Sequence, residues 1–189
     1  MAQARVEKSE EYSEILAIML VDMAEYTKTT SKLGRESIDA LHDVFDNLSL
    51  PIFEKYSGTV IKKIGDSFLV TFKSVTNSLL AAMDMQNAFI TYNWQYRPEY
   101  PIKIRVIVHV GEVIHRYGDI FGDAVNVVAR IEHITQSGHI IFTDSVFLAM
   151  NKNEIPYAHL GLKKLRGVKY PIRLFIVKKR GDLTYGLNR

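Results

Sequence analysis

Read as hydrophobic and polar positions, the chain alternates apolar runs of strand length with longer amphipathic segments. Ile15 to Val21 (ILAIMLV) is a continuous apolar run, long enough for a buried strand and too short to span a membrane, and it ends in Asp22. After the polar Lys28 to Lys32, the segment Glu36 to Tyr56 carries Ile38, Leu41, Phe45, Leu48 and Ile52 on one stripe and predicts a helix lying on a sheet. In Gly58 to Phe72 (GTVIKKIGDSFLVTF), Val60, Ile61 and Ile64 lead into a Gly65-Asp66 hairpin turn, and Phe68, Leu69, Val70 and Phe72 lead out. A second helix is expected from about Ser74 to Trp94, with Leu79, Leu80, Met83, Gln86 and Ile90 on one side, ended by the prolines of Arg97 to Pro101. Ile102 to Val110 and then Gly111 to Tyr117 alternate, which predicts an antiparallel hairpin leading to Asp119.

From Gly122 the period changes to three and four, with Val125, Val128, Ala129 and Glu132 in register and Asn126 and Arg130 together on one face. His139 to Thr143 reads as a strand and Asp144 to Met150 as a short helix capped by Asp144 or Thr143. Two last strands are expected, Tyr157 through Leu165 and Ile172 to Val177. These elements sum to an α/β (α+β) domain with a mixed, mostly antiparallel sheet and helices packed chiefly against one face.

Length and composition refine that picture. With 189 residues and 47% hydrophobic content, the chain suits one domain, expected over 14–180 with a lead-in at 1–13 and a tail at 181–189. The lead-in reads either as a frayed end or as the end of a connector to an upstream sensory module. Residues 1 to 14 are polar, with four Glu, and do not form a signal peptide. The absence of cysteine excludes disulfides and fits a reducing cytoplasm, and no run approaches eighteen apolar residues, so no transmembrane segment is expected. A pI near 9.0 raises a nucleic-acid-binding domain, but a net charge of +3 and the lack of an aromatic stacking motif argue against nucleic acid as a partner.

The chemistry sits at the ends of the apolar runs. Asp22 and Asp66 each lie at a strand edge; if those strands are neighbours, the pair can hold one or two divalent ions through oxygen ligands. The run Met23-Ala24-Glu25-Tyr26-Thr27 then leads toward a helix whose free backbone N–H groups could cradle phosphate oxygens, and Met23 joins Asp22 and Asp66 as a candidate metal-binding residue. Taken singly, Asp66 reads as the polar residue of a turn, and Asn126 with Arg130 as a solvated helix face; only their company points to a site. His109, alone in an apolar strand, reads as a hydrogen-bonded structural residue, since a metal site needs more ligands.

Together, LVDMAEYT, KKIGDSF and YGDIFGDAVNVVARIE resemble the class III nucleotidyl cyclases, specifically the catalytic domain of adenylate cyclases, in residue type, spacing and order from about Leu16 to Lys178. The resemblance implies a ferredoxin-like core and two metal-binding aspartates at Asp22 and Asp66. It implies a purine-selecting lysine at Lys62, four residues before Asp66, and its partner at Asp119, seven residues before Asn126. It further implies that Asn126 orients the ribose, that Arg130 stabilises charge on the α-phosphate, and that Mg2+ or Mn2+ serves as cofactor, two per site. The family often has glycine where Ile107 stands. It also carries a phosphate-contacting lysine just before a glycine, where this chain has Arg166 before Gly167, so Lys164 and Arg166 are both candidates.

The chemistry of Lys62 and Asp119 agrees with an adenine partner. Adenine presents an acceptor at N1 and a donor at its amino group, which a lysine and an aspartate complement, whereas guanine presents the opposite polarity. The guanylate branch tends to carry acidic and thiol-type residues at these positions. The implied activity is adenylate cyclase, converting ATP to cyclic AMP and pyrophosphate in a homodimer whose two sites are composite. Each site would take its aspartates from one subunit and its Lys, Asp, Asn and Arg from the other. A catalytically silent nucleotide-binding regulatory module and a guanylate-accepting cyclase are the alternatives.

Overall fold

The computed structural model describes residues 11–178, so the expected tail at 181–189 and most of the lead-in lie outside the described residues. Its central strand, β1 (Tyr12–Met23), extends beyond the apolar run at both ends, and Tyr12 and Ser13 of the expected lead-in already belong to it. The extension has a partner: Tyr12 to Glu14 pair with Val113 to His115 of β4 (Ile104–Arg116). On its other side β1 pairs antiparallel with β3 (Ser67–Phe72), which the Gly65-Asp66 turn joins to β2 (Thr59–Ile64). Gly65 takes a φ of 55°, which a residue without Cβ adopts freely.

The remaining elements are α1 (Tyr26–Thr30), α2 (Arg35–Lys55), α3 (Val75–Tyr96), β5 (Asp119–Phe121), α4 (Asp123–Glu132), β6 (Ile140–Thr143), α5 (Asp144–Ala149), β7 (Tyr157–Lys163) and β8 (Ile172–Val177). They complete an eight-stranded sheet of order β2-β3-β1-β4-β6-β8-β7, with β5 paired to β4. Only β4 and β6 run parallel among the described pairs.

Strand alternation divides the interior in two. Ala17, Met19, Val21 and Met23 of β1 face a large core with Phe45 and Phe53 of α2, Leu79, Met85 and Phe89 of α3 and Val146 of α5. Leu16 and Ile18 face the other side, where Ala124, Val127, Val128 and Ile131 of α4 cover Leu69, Ile107 and Leu174. Helix packing is therefore chiefly on one face, and α4 stands apart on the second. Each fully buried Phe removes enough apolar surface to stabilise the fold by roughly 2–3 kcal/mol.

Several helix faces differ from the expected stripes by one position. In α3 the buried residues are Ser78, Leu79, Ala81, Ala82, Met85 and Phe89, while Ile90 is 59% exposed. Small residues let α3 approach the sheet closely, and Phe89 then takes the core position expected of Ile90. In α4 the buried set is Ala124, Val127, Val128 and Ile131, so of the spaced positions Val125, Val128, Ala129 and Glu132 only Val128 is buried.

The hairpin expected at Gly111 is absent, because β4 continues unbroken to Arg116 and reverses at Tyr117-Gly118, where Arg116 pairs with Asp119. Gly111 instead marks a close approach: a Cβ there would meet Ala124 Cβ of α4 at 2.7 Å. The strand expected to run through Leu165 stops at Lys163, and Leu165 turns into the α4-side core. Among the described residues no helix is long and apolar enough to cross a membrane.

Candidate active site

Asp22 is the last but one residue of β1 and lies opposite Ser67 of β3 and Arg105 of β4. It projects to the α4 side, in step with Leu16 and Ile18. It is 5% exposed, and both carboxylate oxygens are engaged. Ser67 Oγ donates to Oδ1 at 2.6 Å, while Arg105 donates to Oδ2 from Nε at 2.7 Å and from Nη2 at 2.6 Å. The guanidinium also ion-pairs with Glu132, the last residue of α4.

Asp66 follows in the β2–β3 turn, tied to the end of β1 by the Met23 N–H donating to its carbonyl at 3.1 Å. Burial pushes the Asp66 carboxyl above its ordinary range, and the charge of Asp22 adds to that, with Arg105 and His42 pulling the other way. Two carboxylates thus crowd one edge at an electrostatic cost that a cation would relieve. The donor set is all oxygen and fits a hard divalent ion that completes its shell with water and phosphate. Among the described residues no three His, Cys, Asp or Glu side chains converge into a closed cage.

The Met23–Tyr26 run is less available to phosphate than its sequence indicates. The Met23 N–H is spent on Asp66, and the Ala24 N–H donates to the Lys103 carbonyl at 2.8 Å, which leaves Glu25 and Tyr26 as that run's candidates. The Met23 side chain is buried in the main core, so only its backbone can serve the site. Tyr26 directs its hydroxyl to His42 Nε2 at 2.8 Å.

Lys62 of β2 and Asp119 of β5 meet directly, Lys62 Nζ donating to Asp119 Oδ2 at 2.6 Å. The Ile120 N–H donates to the other oxygen at 2.8 Å. Burial works to raise the Asp119 carboxyl, but Lys62 and the Ile120 N–H outweigh it and hold the group below its ordinary range. Asp119 is therefore ionised and purely an acceptor at neutral pH.

Asn126 and Arg130 are both exposed on the outward side of α4, one turn apart. Lys164 and Arg166 are exposed on either side of the buried Leu165, in a turn closed by the Val168 N–H donating to the Leu165 carbonyl at 3.2 Å, with Gly167 at φ 78°. Leu165 packs in the α4-side core, which brings this basic turn to the same side of the sheet as Asp22.

Of the two cavities described, the smaller is lined in part by Ala24 and Glu25 of the candidate phosphate run, and the larger lies away from the candidate site residues. One of about 1060 Å³ is lined by α3 residues such as Met83 and Ile90, and one of about 170 Å³ lies between Lys28, Lys32 and Lys103. Neither includes Asp22, Asp66, Asn126 or Arg130. His109 is structural as expected: Nδ1 hydrogen-bonds Thr143 Oγ1 at 2.8 Å and Ser145 Oγ at 3.2 Å, and burial lowers its pKa to about 4.

Sequence patterning missed Arg105, Glu132 and Ser67. The available signal was register: Arg105 occupies the same face of β4 as Ile107, opposite a carboxylate.

Residues 7–179 match the adenylate and guanylate cyclase catalytic domain, and the chain belongs to this family, the class III nucleotidyl cyclases. It is 31% identical over 168 residues to the serine/threonine-protein kinase pkn2 of Myxococcus xanthus, covering 88% of this chain and 20% of that protein. It is 25% identical over 162 residues to putative adenylate cyclase 3 of Rhizobium meliloti (strain 1021), covering 85% and 28%. The chain thus spans less than a third of the length of either curated relative.

Among solved structures, the adenylyl cyclase CyaB from P. aeruginosa superposes with a TM-score of 0.83 at 21% identity, over 90% of this chain and 96% of that one. An adenylate/guanylate cyclase/hydrolase from Silicibacter pomeroyi superposes with a TM-score of 0.80 at 27% identity, over 90% and 99%. The class III cyclase fold, with its mixed and mostly antiparallel sheet, is that of this chain.

Proposed function

We propose that the chain is an adenylate cyclase domain that converts ATP to cyclic AMP and pyrophosphate in a homodimer with two composite sites, and that residues 14–180 form the catalytic unit. The observation that carries the adenylate assignment is the Lys62–Asp119 pair, a donor and an acceptor held side by side at 2.6 Å with adenine's complementary polarity. The naming of several relatives as adenylate cyclases supports it.

In this reading the ribose 3′ oxygen attacks the α-phosphorus, the bond to the bridging oxygen breaks, and pyrophosphate leaves. Lys62 donates to adenine N1 and Asp119 accepts from the amino group. Asn126 orients the ribose, and Arg130 meets the charge that develops on the α-phosphate. Asp22, Asp66 and the Met23 backbone would hold Mg2+ or Mn2+, two per site. Such ions, when bound, acidify the attacking hydroxyl and neutralise triphosphate charge. The backbone N–H groups of Glu25 and Tyr26, with Ala24 beside them but its own N–H engaged by Lys103, would meet the triphosphate, and Lys164 or Arg166 would close its far side. Positioning and electrostatics supply the rate enhancement.

The placement of the candidate residues supports the dimer. Asn126 and Arg130 are exposed on the outward side of α4, while Asp22 is buried at the end of β1 against Ser67 and Arg105, so a nucleotide meeting all of them is best served by two chains. Purified protein incubated with Mn2+ and either ATP or GTP tests the reading: cyclic AMP should form with the higher kcat/KM. Preferential cyclic GMP would move the chain to the guanylate branch, and no cyclic product would leave a silent nucleotide-binding module.

A further inference from the structure

Three charged groups meet at the end of β1 in an arrangement that metal binding alone does not require. Asp22 already uses both oxygens, Oδ1 on Ser67 and Oδ2 on Arg105. The Arg105 side chain is 25% exposed, Asp22 8% and Glu132 15%, so the contact is largely shielded from water. Arg105 lies between the two carboxylates, and the same Nη2 reaches both. Glu132 is thus linked to the metal-holding strand through a guanidinium.

We propose that Glu132 is a positioning residue that draws Arg105 off Asp22 when a divalent cation binds there. The inference rests on the reading of Asp22 as a metal ligand. Arg105 acts as an internal counter-ion: it competes with the incoming ion for Oδ2, and it must keep a partner once displaced, because an unpaired buried charge is costly. Glu132 is that partner. Planar guanidinium geometry allows the shift without loss of pairing, since its five donors can serve two carboxylates in different proportions. The same contact fixes the last residue of α4, the helix that carries Asn126 and Arg130, to Arg105 of β4, the strand paired beside the one that carries Asp22.

Without Glu132, Arg105 has Asp22 as its remaining partner and holds it more tightly. Mn2+ binding, measured by electron paramagnetic resonance of the free ion in titrations with Mn2+ alone, should therefore weaken about tenfold in Glu132→Gln, as loss of a charged hydrogen-bond partner costs at this scale. Glu132→Asp keeps the charge and should restore most of the affinity. Arg105→Met removes the competitor and should bind Mn2+ at least as tightly as the parent; adding Glu132→Gln to it should change nothing further.

A role confined to holding α4 in place would lower thermal stability without this Arg105-dependent change in metal affinity. Parent-like Mn2+ binding in Glu132→Gln, or the same loss in the presence and absence of Arg105, overturns the inference. If Glu132→Gln does not fold, Arg105→Met decides: weaker Mn2+ binding there overturns it as well. Asp22→Asn separates the two levels. Unchanged binding in that variant removes the metal reading and the inference with it, whereas loss there beside parent-like Glu132→Gln removes the inference alone.

Discussion

Lys62 and Asp119 stand 57 positions apart in the chain and meet at 2.6 Å, bringing the end of the β4–β5 hairpin against the β2 edge. Their side chains keep 36% and 29% of their surface exposed, so the pair contributes little to stability and is open to a third partner. Under the proposed function each member presents one polarity to a base edge while the other keeps it in place. Replacing them should alter base choice more than folding.

Lys62→Glu combined with Asp119→Cys is expected to lower turnover of ATP and raise the GTP/ATP ratio of kcat/KM by roughly tenfold to a hundredfold, the cost of about 1–3 kcal/mol for a mispaired buried contact. Steady-state assays with both nucleotides check this. An unchanged ratio would mean that the pair does not read the purine.

Asp66→Asn should abolish turnover and leave the fold intact. The Asp66 carboxyl is held above its ordinary range by burial and by Asp22, so its charged form is disfavoured in the folded state. Removing that charge should leave the melting temperature unchanged or slightly raised. A marked drop in melting temperature would assign Asp66 a structural role, and full activity would remove it from the metal site.

His109 predicts an acid limb in the stability curve. Its folded pKa of about 4 lies below the ordinary 6.5, so between these values the unfolded chain binds more protons. Stability from this group is complete above pH 6.5 and is lost as pH falls toward 4, by up to roughly 3 kcal/mol. Thr143 and Ser145 hold Nδ1, and Asp144 opposes the shift only weakly. Urea melts from pH 7 to 4.5 should flatten in His109→Gln, and an equally steep limb in that variant would place the sensitivity elsewhere.

What the sequence made legible was local. The Gly65-Asp66 turn, the change of period at Gly122 and the facing pair Asn126 and Arg130 are set by a few adjacent residues, and the structure has them where the pattern placed them. The buried stripes of α3 and α4 were displaced because tertiary packing selected among nearly equivalent apolar positions, as Phe89 over Ile90. The break expected before Gly111 is absent because the reason for a small residue there, Ala124 of α4, is brought to it only by the fold. Arg105 and Glu132 escaped notice for the same reason: their meaning depends on strand register and on helix α4 crossing the sheet.

The central claim, an adenylate cyclase whose sites are shared between two chains, is tested most directly by mixing two inactive proteins, Asp22→Asn and Asn126→Ala. In a mixed dimer one site loses both residues and the other keeps both. With equal amounts and free subunit exchange, half the dimers are mixed and each has one working site, so about a quarter of parent activity in cyclic AMP formation should return. No recovery, with exchange demonstrated by labelled subunits, would contradict the account and show that each site is built within a single chain.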